Sequence, residues 1–119
     1  MKNETINHVD IRKFAQILKI LGEPNRLMLL NKIIEGVQCN CELGKSLSLA
    51  PNLVSHHLSV LCDSGLVLQK RDQNDARWIY YSINEKVMNQ VNRYFKLFFD
   101  ESRINPCLSS CGPKISKDK

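Results

Sequence analysis

The sequence predicts a mainly α-helical domain carrying one small β-hairpin. Three observations lead there. Apolar residues recur at helical spacing in several stretches punctuated by Gly and Pro. The stretch Cys39–Leu66 divides into two short helices with a three-residue turn between them. Further on, two segments rich in β-branched and aromatic residues flank the turn Gln73–Ala76. At 119 residues, 43% of them hydrophobic and 24% charged, the chain has the make-up of one globular domain with a single core.

The first helix is expected over Val9–Leu21, where Ile11, Phe14, Ile17, Leu18 and Leu21 share a face and Gly22 follows as a stop. Pro24 opens the second, since a proline at the first helical position has no N–H to leave unpaired. Leu27, Leu30, Ile33 and Ile34 form its predicted apolar face, and Gly36 ends it. The third helix is short, Cys39–Leu47, with Leu43 and Leu47 as its apolar pair. After the turn Ser48–Ala50, Pro51 starts a fourth helix running to Cys62–Asp63, closed by Ser64 and Gly65. Helix, tight turn, helix is the helix-turn-helix pattern.

The fourth helix has two faces. Val54, Leu58 and Leu61 should pack on the third helix. Asn52, Ser55, His56 and Ser59 fall on the other side, small and polar with hydrogen-bonding tips, as entry into a DNA major groove requires. His57 is expected to be a packed or capping residue. The segments Leu66–Asp72 and Arg77–Ile83 then make a hairpin in the position of a wing, with Lys70, Arg71 and Arg77 at its base to meet phosphate. The fold expected is therefore a winged helix-turn-helix of five helices and a two-stranded wing.

Asn84 caps the fifth helix, expected over Glu85–Glu101, whose Val87, Val91, Tyr94, Phe95, Phe98 and Phe99 form a broad apolar face. With the first helix it presents more apolar surface than so small a chain can cover, so a homodimer is expected, reading a two-fold symmetric operator. Residues 1–104 form the DNA-binding and dimerisation domain, and residues 105–119 a tail. In that tail Asn105-Pro106 and Gly112-Pro113 bracket about one helical turn, with Cys107 and Cys111 four apart on one face.

A net charge of +5 and a pI near 9.0 favour a polyanionic partner, mildly, because the basic residues are scattered. The N-terminus has no apolar run and nothing reaches the length of a membrane span, so a cytoplasmic protein with no membrane partner is expected. In a reducing compartment five cysteines point to ligand binding or redox chemistry rather than structural disulfides. No phosphate-binding glycine loop, Ser/His/Asp set or paired carboxylates stand out, so neither an enzyme nor an organic cofactor is expected.

Leu18–Ile33 (LKILGEPNRLMLLNKI), Asn52–Val67 (NLVSHHLSVLCDSGLV) and Arg77–Ile83 (RWIYYSI) together resemble the ArsR/SmtB family of winged-helix metal-sensing repressors. The resemblance spans roughly residues 11–101. It implies a dimer formed through the first and last helices, and an operator affinity that falls when an inducer binds. One inducer-site class of that family uses His and acidic residues of the last helix. Here Glu85–Glu101 holds no histidine. A second class places Cys-x-Cys at the start of the third helix, matched by Cys39 and Cys41; the third cysteine many arsenic sensors add is Gly44 here. Some cadmium and lead sensors add an N-terminal cysteine pair, and residues 1–38 have none.

Residues two apart lie about 200° around a helix, so Cys39 and Cys41 can chelate together only at the helix start or by distorting it. The expected site joins them to Cys107 and Cys111, the tail folding back, from the partner subunit. Thiolates select soft ions, here As(III)/Sb(III) ahead of Cd(II)/Pb(II), with Zn(II) also possible. Cys62 is expected to be a core or half-buried thiol. The alternative is a redox or reactive-sulfur sensor that links Cys41 to Cys107 or Cys111.

Overall fold

The architecture was obtained as a computed structural model describing residues 5, 6, 9–106 and 112. In chain order it runs β1 (Thr5–Ile6), β2 (Val9–Asp10), α1 (Ile11–Leu21), α2 (Pro24–Ile34), α3 (Asn40–Leu47), α4 (Pro51–Asp63), β3 (Val67–Arg71), β4 (Ile79–Ile83) and α5 (Glu85–Phe98), then a 3-10 turn at Glu101–Arg103. This is the five-helix, two-stranded-wing fold the sequence predicts, with a short N-terminal hairpin in addition.

The element ends follow local chemistry. Helix α1 begins two residues later than expected, because Asp10 caps it, its Oδ1 accepting from the Lys13 N–H at 3.2 Å. Val9 instead pairs with Ile6 in the N-terminal hairpin and is fully buried. Helix α5 ends at Phe98 rather than Glu101, since Asp100 caps the separate 3-10 turn that follows. Arg103 folds back from that turn, donating to the Phe98 carbonyl with its guanidinium 5.1 Å from the Phe98 ring centre. The strands are one or two residues shorter than expected at their turn ends. Ser48, at φ 55°, takes the left-handed conformation that ends α3, and its N–H and that of Leu49 close on the last carbonyls of the helix.

The apolar face of α2 is rotated from the one expected. Leu29, Leu30 and Ile33 are buried, whereas Leu27 is 50% and Ile34 56% exposed. The segment RLMLLNKII is apolar on too many sides for spacing alone to choose a face. The choice is made by α1, α3, α4 and β4, all of which pack on α2.

One core joins Leu29, Leu30 and Ile33 of α2 to Leu43 of α3, Val54, Leu58 and Leu61 of α4, Leu66, Val67, Tyr81 and Val91. A second, smaller cluster of Val9, Phe14 and Tyr94 ties α1 and β2 to α5, and Ile17 touches both. Around Phe14 lie four aromatic rings, those of Tyr94, Phe95, Phe98 and Phe99, with centres 5.0–6.4 Å away. Phe95, Phe99 and Leu18 stay exposed beside this cluster. Among the described residues no helix is long and apolar enough to cross a membrane.

Candidate nucleic-acid interface and thiol site

Helix α4 divides as its spacing predicts. Val54, Leu58 and Leu61 are buried, and His57 with them, while Asn52, Ser55, His56 and Ser59 are exposed. Pro51 begins the helix and no acidic residue stands in its first turn. The exposed face therefore offers amide, hydroxyl and imidazole groups without a negative charge to repel DNA. Such groups suit base-edge hydrogen bonding.

Beside it the wing is a regular antiparallel ladder, from Val67 opposite Ile83 at the core end to Arg71 opposite Ile79 at the far end. That register corrects one expectation. Lys70, Arg71 and Arg77 sit at the tip of the wing rather than its base, because the ladder is anchored in the core through Val67 and Tyr81. The tip is tightly organised. Asp72 Oδ2 accepts from the N–H groups of Asn74 and Asp75 at 3.0 and 2.9 Å. Arg71 reaches across to donate to the Ala76 carbonyl. Arg77 makes a two-pronged bond to the Asp75 carboxylate, at 3.0 and 2.8 Å, and this holds the Asp75 carboxyl below its ordinary pKa. Its positive charge is thus shared with a neighbour before any DNA arrives.

The two cysteines at the start of α3 occupy different settings. Cys39 is the capping residue, half-buried, its Sγ donating to Asn40 Oδ1 at 3.7 Å but making no side-chain capping bond to a helix N–H. Its backbone pairs antiparallel with Tyr80, and Gln38 accepts from the Tyr81 N–H at 2.9 Å. The chain entering α3 is thereby hydrogen-bonded to the free edge of the wing strand β4. Cys41 is exposed. It borders a cavity of about 420 Å³ between α3, α4 and β4, whose floor includes Val54, Leu58 and Ile79. A shallower cleft places Cys41 with Asn40 against Arg77 and Trp78 of the wing. The thiol pair therefore stands where the helix-turn-helix and the wing meet.

Gly44 lines the same cavity, and a Cβ there would meet Val54 Cγ2 at an ordinary 3.5 Å. Cys62 is half-buried, with Sγ 4.0 Å from Gln69 Oε1, and burial together with the nearby Asp63 pushes its thiol pKa up. A thiol held protonated is a poor ligand. Cys107 and Cys111 lie outside the described residues. Among those described, no group of three or more His, Cys, Asp or Glu side chains is placed to hold a metal ion. The link from Cys39 to Tyr80 was invisible in the sequence, because nothing local marks a single bridge between distant residues.

Comparison with known proteins agrees with this architecture. Residues 23–68 match the family model described as bacterial regulatory protein, arsR family. The chain is 30% identical to the biofilm growth-associated repressor of Xylella fastidiosa, over 87% of this chain and 95% of that protein. It is also 30% identical to the arsenical resistance operon repressor of Staphylococcus aureus, over 67% of this chain and 74% of that one. Among solved structures, a possible transcriptional regulator for arsenical resistance superposes with a TM-score of 0.62 at 27% identity, covering 71% of this chain and 85% of that one. The chain thus belongs to the ArsR/SmtB family of winged-helix DNA-binding transcriptional repressors.

Proposed function

We propose that this repressor binds a two-fold operator as a homodimer and is released by a thiophilic metal or metalloid held at Cys39 and Cys41. As(III) or Sb(III) is placed ahead of Cd(II) or Pb(II), with Zn(II) as a further candidate. The observation that carries the reading is the position of the two thiols: one backbone-paired to the wing, the other exposed between the wing and the reading helix. An ion drawing these sulfurs together would pull the start of α3 away from β4. Asn52, Ser55, His56 and Ser59 are assigned to base edges and Lys70, Arg71 and Arg77 to phosphate. The exposed Phe95, Phe99 and Leu18 beside the α1–α5 aromatic cluster support the dimer contact.

Two soft sulfurs fit a thiophilic ion only as part of a site, since As(III) suits three thiolates and Cd(II) four. Cys107 and Cys111 of the tail, residues 105–119, are proposed to supply the remainder, from the partner subunit. The relatives named for arsenical resistance favour the metalloid. A second reading, release by a link from Cys41 to Cys107 or Cys111, is favoured by the exposure of the Cys41 thiol, as such a link needs only two accessible thiols.

The test is a titration of the reduced protein–operator complex with As(III), Cd(II), Zn(II) and a persulfide donor, following anisotropy and thiolate absorption together. Stoichiometric release with a sulfur-to-metal absorption band is expected for the inducing ion. Release by the persulfide donor alone would replace the metal reading with the redox one. Deleting residues 105–119 should weaken the response to the ion and spare operator binding. An unchanged response would remove the tail from the site.

A further inference from the structure

We infer that His57 is a positioning residue that sets the angle of α4 on the α1–α2 corner, and with it the sequence specificity of the repressor. This rests on α4 being the reading helix, and the experiment below separates the two.

His57 is 5% exposed, on the reverse side of α4 from the polar face. Ser55 and Ser59, two residues away on either side, lie about 200° around the helix from it. The ring is wedged against the turn joining α1 to α2. Its Nδ1 is 3.5 Å from Arg26 Nη1, and its Nε2 is 3.9 Å from Glu23 Oε1. Both partners are themselves fixed. The Arg26 Nε donates to the Ile20 carbonyl in the last turn of α1 at 2.8 Å. Glu23 Oε1 caps α2, accepting from the Asn25 N–H at 2.6 Å and the Arg26 N–H at 3.3 Å. Three helices therefore converge on one imidazole.

The donor inventory decides how the ring sits. A guanidinium only donates, so Nδ1 must present its lone pair to Arg26. The ring proton is then on Nε2, directed at the Glu23 carboxylate. At 3.9 Å that pair is too long for a hydrogen bond, and Nε2 is buried without a hydrogen-bond partner. A buried polar atom without a partner is uncommon enough to need a reason. Packing alone would be met better by a leucine, which brings no such atom into the core. What the imidazole adds is direction: an acceptor meeting Arg26, with Nε2 on the side of the Glu23 carboxylate, locates α4 in rotation as well as in depth. Apolar contacts, being non-directional, leave that rotation less defined. Base-edge hydrogen bonds read the sequence and depend on that rotation, whereas phosphate contacts carry no sequence information.

The test uses the full reduced chain, with an operator selected by the wild-type protein from random duplexes and a scrambled duplex as control. Anisotropy over a range of salt gives specific affinity, non-specific affinity and salt slope for each variant. His57→Leu should lose roughly tenfold or more in operator affinity, equivalent to about 1.4 kcal/mol, with scrambled-duplex binding and salt slope unchanged. His57→Asn, which can place an acceptor where Nδ1 stands, should restore most of the loss; His57→Gln, whose polar group lies where Nε2 stands, should not. Equal loss on both duplexes, or no loss, would reduce His57 to core packing. If His57→Leu fails to fold, the Asn and Gln variants decide, and equal or reversed behaviour overturns the inference. His56→Ala is the control for the underlying reading. Unchanged specificity there removes α4 from base contact and the inference with it, whereas a loss at His56 with none at His57 refutes the positioning role alone.

Discussion

Replacing Cys41 by Ser is expected to leave operator binding intact and to abolish release by the inducing ion. The side chain is exposed, so the change removes no packing. What is lost is a soft thiolate, for which a hydroxyl is no substitute toward As(III) or Cd(II). Cys39→Ser is the sharper companion. The Cys39 side chain makes no capping bond to a backbone N–H of α3, and serine is among the best capping residues, so this variant should hold α3 at least as firmly as the natural chain. A failure to respond could then not be ascribed to a weakened helix. Each tenfold drop in operator affinity requires about 1.4 kcal/mol of coupling between ion and DNA. Anisotropy of a labelled operator, with and without the ion, reads that coupling directly. Normal dissociation of both serine variants would place the inducer elsewhere.

The second large effect concerns stability. Leu61→Ala should destabilise the fold by about 2–5 kcal/mol. Leu61 is fully buried on α4, in the core shared by α2, α3 and the wing. A loss of that size is a large share of the roughly 5–15 kcal/mol that holds a typical domain folded. Leu27→Ala, the same chemical change on the exposed side of α2, should cost within about 0.5 kcal/mol. Urea unfolding of both at one protein concentration makes the comparison, the concentration being fixed because any self-association would make stability depend on it. Equal losses would mean that Leu27 is covered in solution, or that the rotation of α2 described above is wrong.

These expectations divide by how far apart the interacting residues lie. Helix starts and stops were legible because they are local. Pro24 and Pro51 open their helices, Asn84 caps α5 through its own Oδ1 to the Val87 N–H at 3.4 Å, and the turn after Leu47 falls at Ser48–Ala50. The two faces of α4 were legible for the same reason, since three apolar and four polar residues at helical spacing leave one arrangement. The face of α2 was not. Its sequence allows several orientations, and the neighbours that select among them come from four other elements.

The thiol site shows the same boundary. By itself the sequence determined that a winged helix-turn-helix would form, that its fourth helix would present Asn52, Ser55, His56 and Ser59, and that two cysteines would stand at the entrance to the third. Those are properties of periodicity and of short-range capping, which act within a few residues. Only the tertiary structure decided that Lys70, Arg71 and Arg77 belong to the tip of the wing, because register is set where Val67 and Tyr81 enter the core. It alone paired Cys39 with Tyr80 and put Cys41 in one cleft with Arg77 and Trp78. Those arrangements bring together segments far apart in the chain, so they follow from how the core packs rather than from any local pattern.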